Sequence, residues 1–342
     1  KETPAIRVSG HWWKPGSRMS IDEDGGHVIP GMICAWWYDG KRMFEPLAIK
    51  ECRMAIVNDK HPLWPADGSG EGAGAIVPIL DEDFSLGMRP GNKGFWLCLT
   101  SDAEARAEGA PTSFEAELTP WWGPPSTLTY RNNIYGFDMG YDILRLQGTK
   151  LKLKVDGEEF EGTAYFQKVS VQAPSFPWFW GMLHFDDGSY IDWFKPHAAP
   201  GMTSMDDRPW RRRDFLRAPA IGTGIFHDAN RGRTENFKRC EVEVSEPDGE
   251  EPLRDEQGNA LPKFRIRIWN GRTQVSIDVR ACSRARWTFD QPTRAGMVSH
   301  LTYNEYPLEV ERIAILDEQG LRTIDDYEWI MGNAEHTWGV LH

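Results

Sequence analysis

The sequence predicts an almost entirely β-structured protein, built from β-barrel or β-sandwich domains with few short helices. Three observations favour this class: tight-turn dipeptides recur, segments of alternating apolar and polar residues flank them, and helical periodicity is scarce. Asp-Gly and Asn-Gly pairs tolerate the positive φ angles that tight hairpin turns need. The pairs include Asp39-Gly40, Asp156-Gly157, Asp187-Gly188, Asp248-Gly249 and Asn270-Gly271.

Alternating segments lead into and out of these turns. Residues 264–269 and 275–280 place an apolar side chain at every second position on either side of Asn270-Gly271, and residues 151–155 do the same before Asp156-Gly157. A period of two is typical of a strand with one buried face. We therefore expect hairpins at these points.

Helical signals are confined to two short segments. Residues 101–109, with Ser101 as a cap, and residues 321–331 are each compatible with a short helix. Neither segment carries a wide apolar stripe at the helical period.

The length of 342 residues suits two domains. The stretch between about Pro196 and Pro219 lacks strand alternation, both at residues 197–201 and over the polar residues 204–213, so we expect the boundary there. The sequence thus predicts an N-terminal domain over residues 1–200 and a C-terminal domain over residues 201–342.

Composition narrows the function. The net charge of −12 argues against nucleic acid as a partner, because an acidic chain repels phosphate groups. Sixteen Trp residues fit a large aromatic core, an apolar ligand pocket, or both. No pattern indicates a cofactor or a metal, since the five Cys are dispersed and the nine His have no metal-ligand spacing. We expect a cytoplasmic protein, and the start at Lys1 is also compatible with a removed leader peptide. A peripheral contact with a membrane is compatible with the sequence, and the sequence does not determine the oligomeric state.

The segment from Gly162 to His197 combines dense aromatic residues with titratable ones. It predicts a strand over residues 177–185, a turn at residues 186–188 and a return strand over residues 189–195. A three-residue loop closed by Gly188 would place Trp180, Met182, His184, Tyr190 and Asp192 on one face. A two-residue loop would instead pair His184 with Ile191 and turn Tyr190 and Asp192 away. We favour the first register because it groups the polar residues.

A shared face inside a barrel would give these residues a chemical role. A carboxyl group in an apolar, aromatic-walled cavity has a raised pKa and can donate a proton near neutral pH. Asp192 would then be the acid, Tyr190 and His184 would position it, and Trp faces would stabilise a carbocation. Purely structural roles are the alternative for each residue: a backbone-bonded Asp192, a half-buried Tyr190 and a core His184.

The same segment resembles a family of lipocalin-like proteins. Its matching features are Gly162-Thr163-Ala164-Tyr165, Trp178-Phe179-Trp180-Gly181 and Tyr190-x-Asp192. They resemble the carotenoid 1,2-hydratases (hydroxyneurosporene synthases), a group that also includes AttH-type proteins and fungal cyclases that perform Diels–Alder closures. The resemblance covers residues 155–195 and, beyond them, the Trp-rich opening.

The resemblance implies two lipocalin-like (calycin) domains with a hydrophobic ligand between them, and a proton-donating role for Tyr190 and Asp192. The hydratases carry an Asp-His pair where this chain has Gln167-Lys168, which argues against carotenoid hydration itself. Lys168 would pair with a ligand carboxylate or with Asp192. We expect the substrate to contact Trp178, Trp180, Met182, Tyr165, Gln167 and Lys168.

The sequence therefore predicts a cofactor-independent acid/base enzyme, a hydratase, isomerase or cyclase, acting on an unsaturated hydrophobic substrate such as an isoprenoid. The alternative is a non-catalytic carrier of a hydrophobic ligand. A third interpretation is a carbohydrate-binding β-sandwich, which also displays Trp side chains.

Overall fold

The structure, a computed structural model, describes residues 11–13, 20–21, 27–56, 76–78, 84–89, 94–101, 107–121, 127–134, 139–172, 177–197, 222–245, 251, 253–292 and 298–340. These residues belong to two compact units. The N-terminal unit comprises residues 7–37 and 44–173, and the C-terminal unit comprises residues 38–43 and 174–342. The predicted all-β class is confirmed, because the described residues form antiparallel strands and one short 3₁₀ turn.

The described residues of the N-terminal part of the chain form eleven strands in two sheets. The first sheet has the order β1-β3-β2, with β4 also pairing with β3, and contains β1 (His11–Trp13), β2 (Ser20–Ile21), β3 (His27–Tyr38) and β4 (Met43–Ile56). The second has the order β11-β10-β8-β7-β6-β5, with β9 on β10, and contains β5 (Ile76–Pro78), β6 (Phe84–Arg89), β7 (Gly94–Thr100), β8 (Ser113–Pro120), β9 (Thr127–Ile134), β10 (Met139–Val155) and β11 (Glu158–Gln172).

Two aromatic pairs contribute to the packing of the N-terminal unit. The rings of Phe95 and Phe166 stack with centroids 4.1 Å apart, and Trp37 lies 5.4 Å from the buried Phe114. The predicted turn at Asp156-Gly157 joins β10 to β11, with φ angles of 48° and 90° at its two residues. Two consecutive positive φ angles define the tight hairpin turn that Asp-Gly pairs favour.

The described residues from 178 to 340 form one eleven-stranded antiparallel sheet in the C-terminal unit. The strand order is β15-β14-β13-β12-β22-β20-β18-β17-β16, and β19 and β21 also pair with β20. Because β16 returns to pack against β13 and β14, the sheet nearly closes into a barrel. The strands are β12 (Trp178–Phe185), β13 (Tyr190–Pro196), β14 (Thr223–Asp228), β15 (Arg233–Phe237), β16 (Arg239–Ser245), β17 (Lys263–Trp269), β18 (Gln274–Ala281), β19 (Ala285–Pro292), β20 (Val298–Asp317), β21 (Gly320–Thr323) and β22 (Ile330–Val340).

One face of this sheet forms the apolar core of the C-terminal unit. Alternate residues of β17 and β18 are buried, as their sequence period predicts, and they meet the inward side chains of β12, β13, β14 and β20. The large core residues include Phe179, Leu183, Phe185, Ile191, Trp193, Phe226, Phe237, Phe264 and Tyr306. Trp193 fits beside Gly181, where a Cβ would lie 2.1 Å from its indole.

Two sequence expectations need correction. The segment over residues 321–331 is not a helix: it continues β21, makes a 3₁₀ turn at Ile324–Asp326 and enters β22. Leu321 pairs with Leu316 across the strands, which takes its backbone into the sheet. The segment over residues 101–109 has an Ala110 N–H to Ala107 O bond at its end, and residues 102–106 lie outside the described residues.

The two compact units divide near residue 174, whereas the boundary predicted from the sequence lies at about residue 200. The physical reason is the pairing of the hairpin over residues 178–196. Its strand β12 pairs with β22 and its strand β13 pairs with β14, so the hairpin lies in the middle of the C-terminal sheet. The predicted linker over residues 198–219 lies outside the described residues.

Candidate functional site

The hairpin of β12 and β13 has the three-residue loop that the sequence favours. The N–H of Phe185 donates to Ser189 O over 3.0 Å, the N–H of Gly188 donates to Phe185 O over 3.1 Å, and Gly188 has a φ of 85°. Met182 consequently lies opposite Asp192, and His184 lies opposite Tyr190. The first of the two registers is therefore confirmed.

The face that carries Asp192 is not the barrel interior. Leu183, Ile191 and Trp193 point into the apolar core of the C-terminal unit, so the alternate residues Met182 and Asp192 point to the other side of the sheet. The expectation of a carboxyl group inside the barrel is thus wrong. Asp192 is nevertheless withdrawn from water, with 2 % of its surface exposed.

Tyr190 lies in a row of three cross-strand neighbours, between His184 on β12 and His227 on β14. The rings of Tyr190 and His227 stack with centroids 5.4 Å apart and an interplanar angle of 14°. Nδ1 of His227 is 2.8 Å from the Thr234 hydroxyl oxygen. Burial lowers the pKa of His227, an effect that Asp228 and Asp187 oppose through their charges. At neutral pH the imidazole is therefore held in its neutral form.

A second group of polar side chains lies on the same face, around Glu305 of β20 and Glu335 of β22. These two glutamates are directly opposed and both are buried. The Tyr303 hydroxyl donates to Glu305 Oε2 over 3.1 Å and is also hydrogen-bonded to Glu335, and burial raises the pKa of this tyrosine well above its usual value. Asn333 donates to Glu305 Oε1, and the Trp178 indole donates to Glu335 Oε2 over 2.9 Å.

The strand register places the residues around Tyr190 and those around Glu305 and Glu335 on one continuous surface. Glu335 is opposite Trp180, and Trp180 is opposite Phe194, which follows Asp192 by two residues. Strand spacing then puts the Cα atoms of Asp192 and Glu335 about 12 Å apart. We call this surface the polar–aromatic face and define it by Trp178, Trp180, Met182, His184, Tyr190, Asp192, His227, Tyr303, Glu305, Asn333 and Glu335.

The remaining predicted contacts lie on β11 of the N-terminal unit. The Tyr165 hydroxyl donates to Gln167 Oε1, and Gln167 lies opposite the buried Arg145 on β10. The backbone of Lys168 pairs with Leu144, and its side chain lies outside the described residues. The structure thus brings Tyr165 and Gln167 together on one strand of that unit.

Sequence reasoning missed His227, Tyr303, Glu305, Asn333 and Glu335. A signal existed for the last four, because polar residues stand at alternate positions within two long strand-forming segments. Both sets of alternate positions in these segments nevertheless contain polar and apolar residues, so the sequence does not show which set faces the core. Only the pairing of β20 with β22 shows that Glu305 meets Glu335.

Within the described residues, no group of three or more His, Cys, Asp or Glu side chains is arranged to hold a metal ion. No helix in this part of the chain is long and apolar enough to cross a membrane.

Comparison with known proteins gives a similarity to solved structures. No family model matches the chain, and no curated protein is significantly similar to it. Among solved structures, the chain is similar to a protein from Nitrosomonas europaea described as a "putative AttH", with 12% sequence identity and a TM-score of 0.37. The match covers 96% of this chain and 92% of that one.

Proposed function

We propose that the protein is a cofactor-independent acid/base enzyme acting on an unsaturated hydrophobic substrate such as an isoprenoid. One observation carries the proposal: a carboxyl group, Asp192, lies buried on a sheet face that also presents Trp180, Met182 and Tyr190 and that is separate from the apolar core. A folding role alone does not require a carboxyl group on a buried aromatic surface.

Asp192 is the proton donor in this proposal. This role requires its carboxyl group to carry a proton before the reaction, and its 2 % exposure keeps that group away from bulk water. The proton passes from the carboxyl oxygen to one carbon of a substrate double bond, and the positive charge develops on the other carbon. The indole of Trp180, which pairs with Phe194 on the same face, supplies a π surface that stabilises such a cation.

Tyr190 and His184 position the acid. They lie directly opposite each other, two residues along each strand from Met182 and Asp192, and form the next pair on the same face of the hairpin. Both are buried, with 3% and 7% of their surfaces exposed. Their rings therefore limit the volume beside the carboxyl group and restrict the position of an alkene.

The test has two steps. Mass spectrometry of the purified protein first identifies any co-purifying small molecule. The protein is then incubated in D₂O with geranylgeraniol and with squalene, and deuterium at carbon is measured in the recovered molecules. We expect deuterium incorporation by the wild-type protein and a loss of roughly a hundredfold or more in the Asp192→Asn variant.

Asp186→Asn is the matched control, because Asp186 is an exposed aspartate in the turn of the same hairpin. It should leave deuterium incorporation unchanged. Binding of the probe without any deuterium exchange would instead support the alternative function, a carrier of hydrophobic ligands, and would contradict the enzyme. Equal activity in the wild-type and Asp192→Asn proteins would show that Asp192 is not the acid.

A further inference from the structure

We infer that His227 is the base that accompanies Asp192, so that the enzyme moves a double bond or closes a ring instead of adding water. This inference rests on the proposed function and names its reaction class. It assigns a catalytic role to a residue of β14, a strand outside the hairpin that contains Asp192.

Strand register places the two groups side by side. Asp192 pairs with Ile225 and Tyr190 pairs with His227, so His227 is the diagonal neighbour of Asp192 on the same face. Diagonal neighbours of this kind have Cα atoms about 7–8 Å apart. An acid and a base at that spacing reach different carbons of one substrate molecule from the same side.

The imidazole is fixed in place. Stacking on Tyr190 sets the ring plane, and the contact between Nδ1 and the Thr234 hydroxyl sets the rotation within that plane. When Nδ1–H donates to the Thr234 oxygen, the lone pair lies on Nε2, which is the atom we assign to proton transfer. The Thr234 hydroxyl is thus a positioning group.

The charges around His227 suit a base. Burial disfavours the imidazolium and lowers the pKa, which keeps the ring neutral before reaction. Asp187 from the hairpin turn and Asp228 from the same strand act in the opposite direction and stabilise the charge after proton uptake. Asp228 is itself paired with Arg231 and Arg322, so its effect on His227 is partly neutralised.

The step balances without a co-reactant. The O–H bond of Asp192 breaks and a C–H bond forms with the π electrons of the substrate, which leaves a cation. His227 Nε2 takes a proton from an adjacent carbon, and the electrons of that C–H bond form the new double bond. Asp192 ends as a carboxylate and His227 as an imidazolium, and both exchange protons with water after product release.

Product analysis in D₂O tests the inference. With geranylgeraniol as the probe, we expect the wild-type protein to give an isomer or cyclised product that contains one deuterium and no added oxygen. His227→Asn should lower the yield of this product by roughly a hundredfold. A wild-type product that has gained water would overturn the inference and leave the acid role of Asp192 intact. Absence of deuterium in every product would overturn the proposed function itself, and this inference with it.

Thr234 provides a test that does not depend on how His227→Asn folds, because Thr234 is exposed. Thr234→Val removes the hydroxyl and Thr234→Ser retains it. We expect Thr234→Val to lower kcat and to change the ¹⁵N shifts that report the His227 tautomer, while Thr234→Ser matches the wild-type protein in both. Wild-type kcat and an unchanged tautomer in Thr234→Val would contradict the assignment.

Discussion

Asp192 lies directly opposite Met182 in the hairpin of β12 and β13, on the side of the sheet that faces away from the apolar core of the C-terminal unit. The next residues along each strand, Leu183 and Trp193, point into that core. The hairpin therefore has two buried faces with different chemistry. Its inner face supplies packing energy, and its outer face presents the carboxyl and aromatic groups proposed to act on a substrate.

Gly181 is the residue that allows Trp193 to pack. A Cβ at this position would lie 2.1 Å from Trp193 Cζ2 and 2.8 Å from Asn333 O, so Gly181→Ala should displace the indole. We expect a loss of about 3 kcal/mol in the free energy of unfolding, measured by urea denaturation. Gly162→Ala is the control, because a Cβ there meets nothing within 4 Å. Equal stability of the two variants would contradict this packing.

The Tyr303 hydroxyl should contribute to stability through its bonds to the opposed glutamates. Tyr303→Phe leaves buried carboxyl groups without this donor, and we expect a loss of about 2 kcal/mol in the free energy of unfolding. Tyr327→Phe is the matched control, since the Tyr327 hydroxyl is buried without a hydrogen-bond partner within the described part of the chain. That control should be neutral or stabilising, and the reverse order of the two effects would contradict the assignment.

Acidification should destabilise the protein through His197 and His336. Burial lowers the pKa of His197 from 6.5 to about 4, and burial together with the charge of His197 lowers that of His336 well below its usual value. Both rings are neutral in the folded state and protonate more readily in the unfolded state. Stability is therefore complete above pH 6.5 and is lost as the pH falls from 6.5 towards 4.

His197 accounts for up to about 3 kcal/mol of this loss in the free energy of unfolding, which is the energy equivalent of its pKa difference between the folded and unfolded states. Urea denaturation at several pH values measures it, and His197→Gln, which keeps an N–H donor for Thr337 O, should flatten the profile. An identical pH profile in the variant would show that His197 does not titrate in this way.

Arg284 and Asp255 form a buried ion pair, with Nη2 and Oδ2 2.7 Å apart. Asp255→Asn leaves the guanidinium buried without its counter-charge, and we expect a loss of about 3–5 kcal/mol in the free energy of unfolding. Arg312, which is 63% exposed, pairs with Asp278 at 2.6 Å and offers a surface comparison. Arg312→Gln should cost less than about 1 kcal/mol. Thermal and urea denaturation of both variants check the contrast.

Local patterns carried much of the fold prediction. The strands on either side of Asn270-Gly271 and of Asp156-Gly157 follow from alternation and turn chemistry, both of which act over a few residues. The sequence is compatible with a three-residue loop over residues 186–188 and with a two-residue loop at Asp187-Gly188, because both loop lengths suit an Asp-Gly pair. The preference for the first came from grouping the polar residues, and the backbone bonds of Gly188 agree with it.

Long-range pairing could not be predicted. Every residue of β12 from Phe179 to Phe185 is buried, so the sequence shows no difference between its core face and its other face. Glu305 and Glu335 meet because β20 pairs with β22, and His227 meets Tyr190 because β14 pairs with β13. The placement of the hairpin in the C-terminal sheet likewise depends on β22, a strand more than a hundred residues later in the chain.

The protonation state of Asp192 tests the central claim most directly. Infrared difference spectroscopy between the wild-type and Asp192→Asn proteins at neutral pH separates a protonated carboxyl group from a carboxylate. We predict a protonated carboxyl band in the wild-type protein that disappears in the variant and shifts in D₂O. A carboxylate band in its place would contradict the account, because an ionised Asp192 has no proton to give to an alkene.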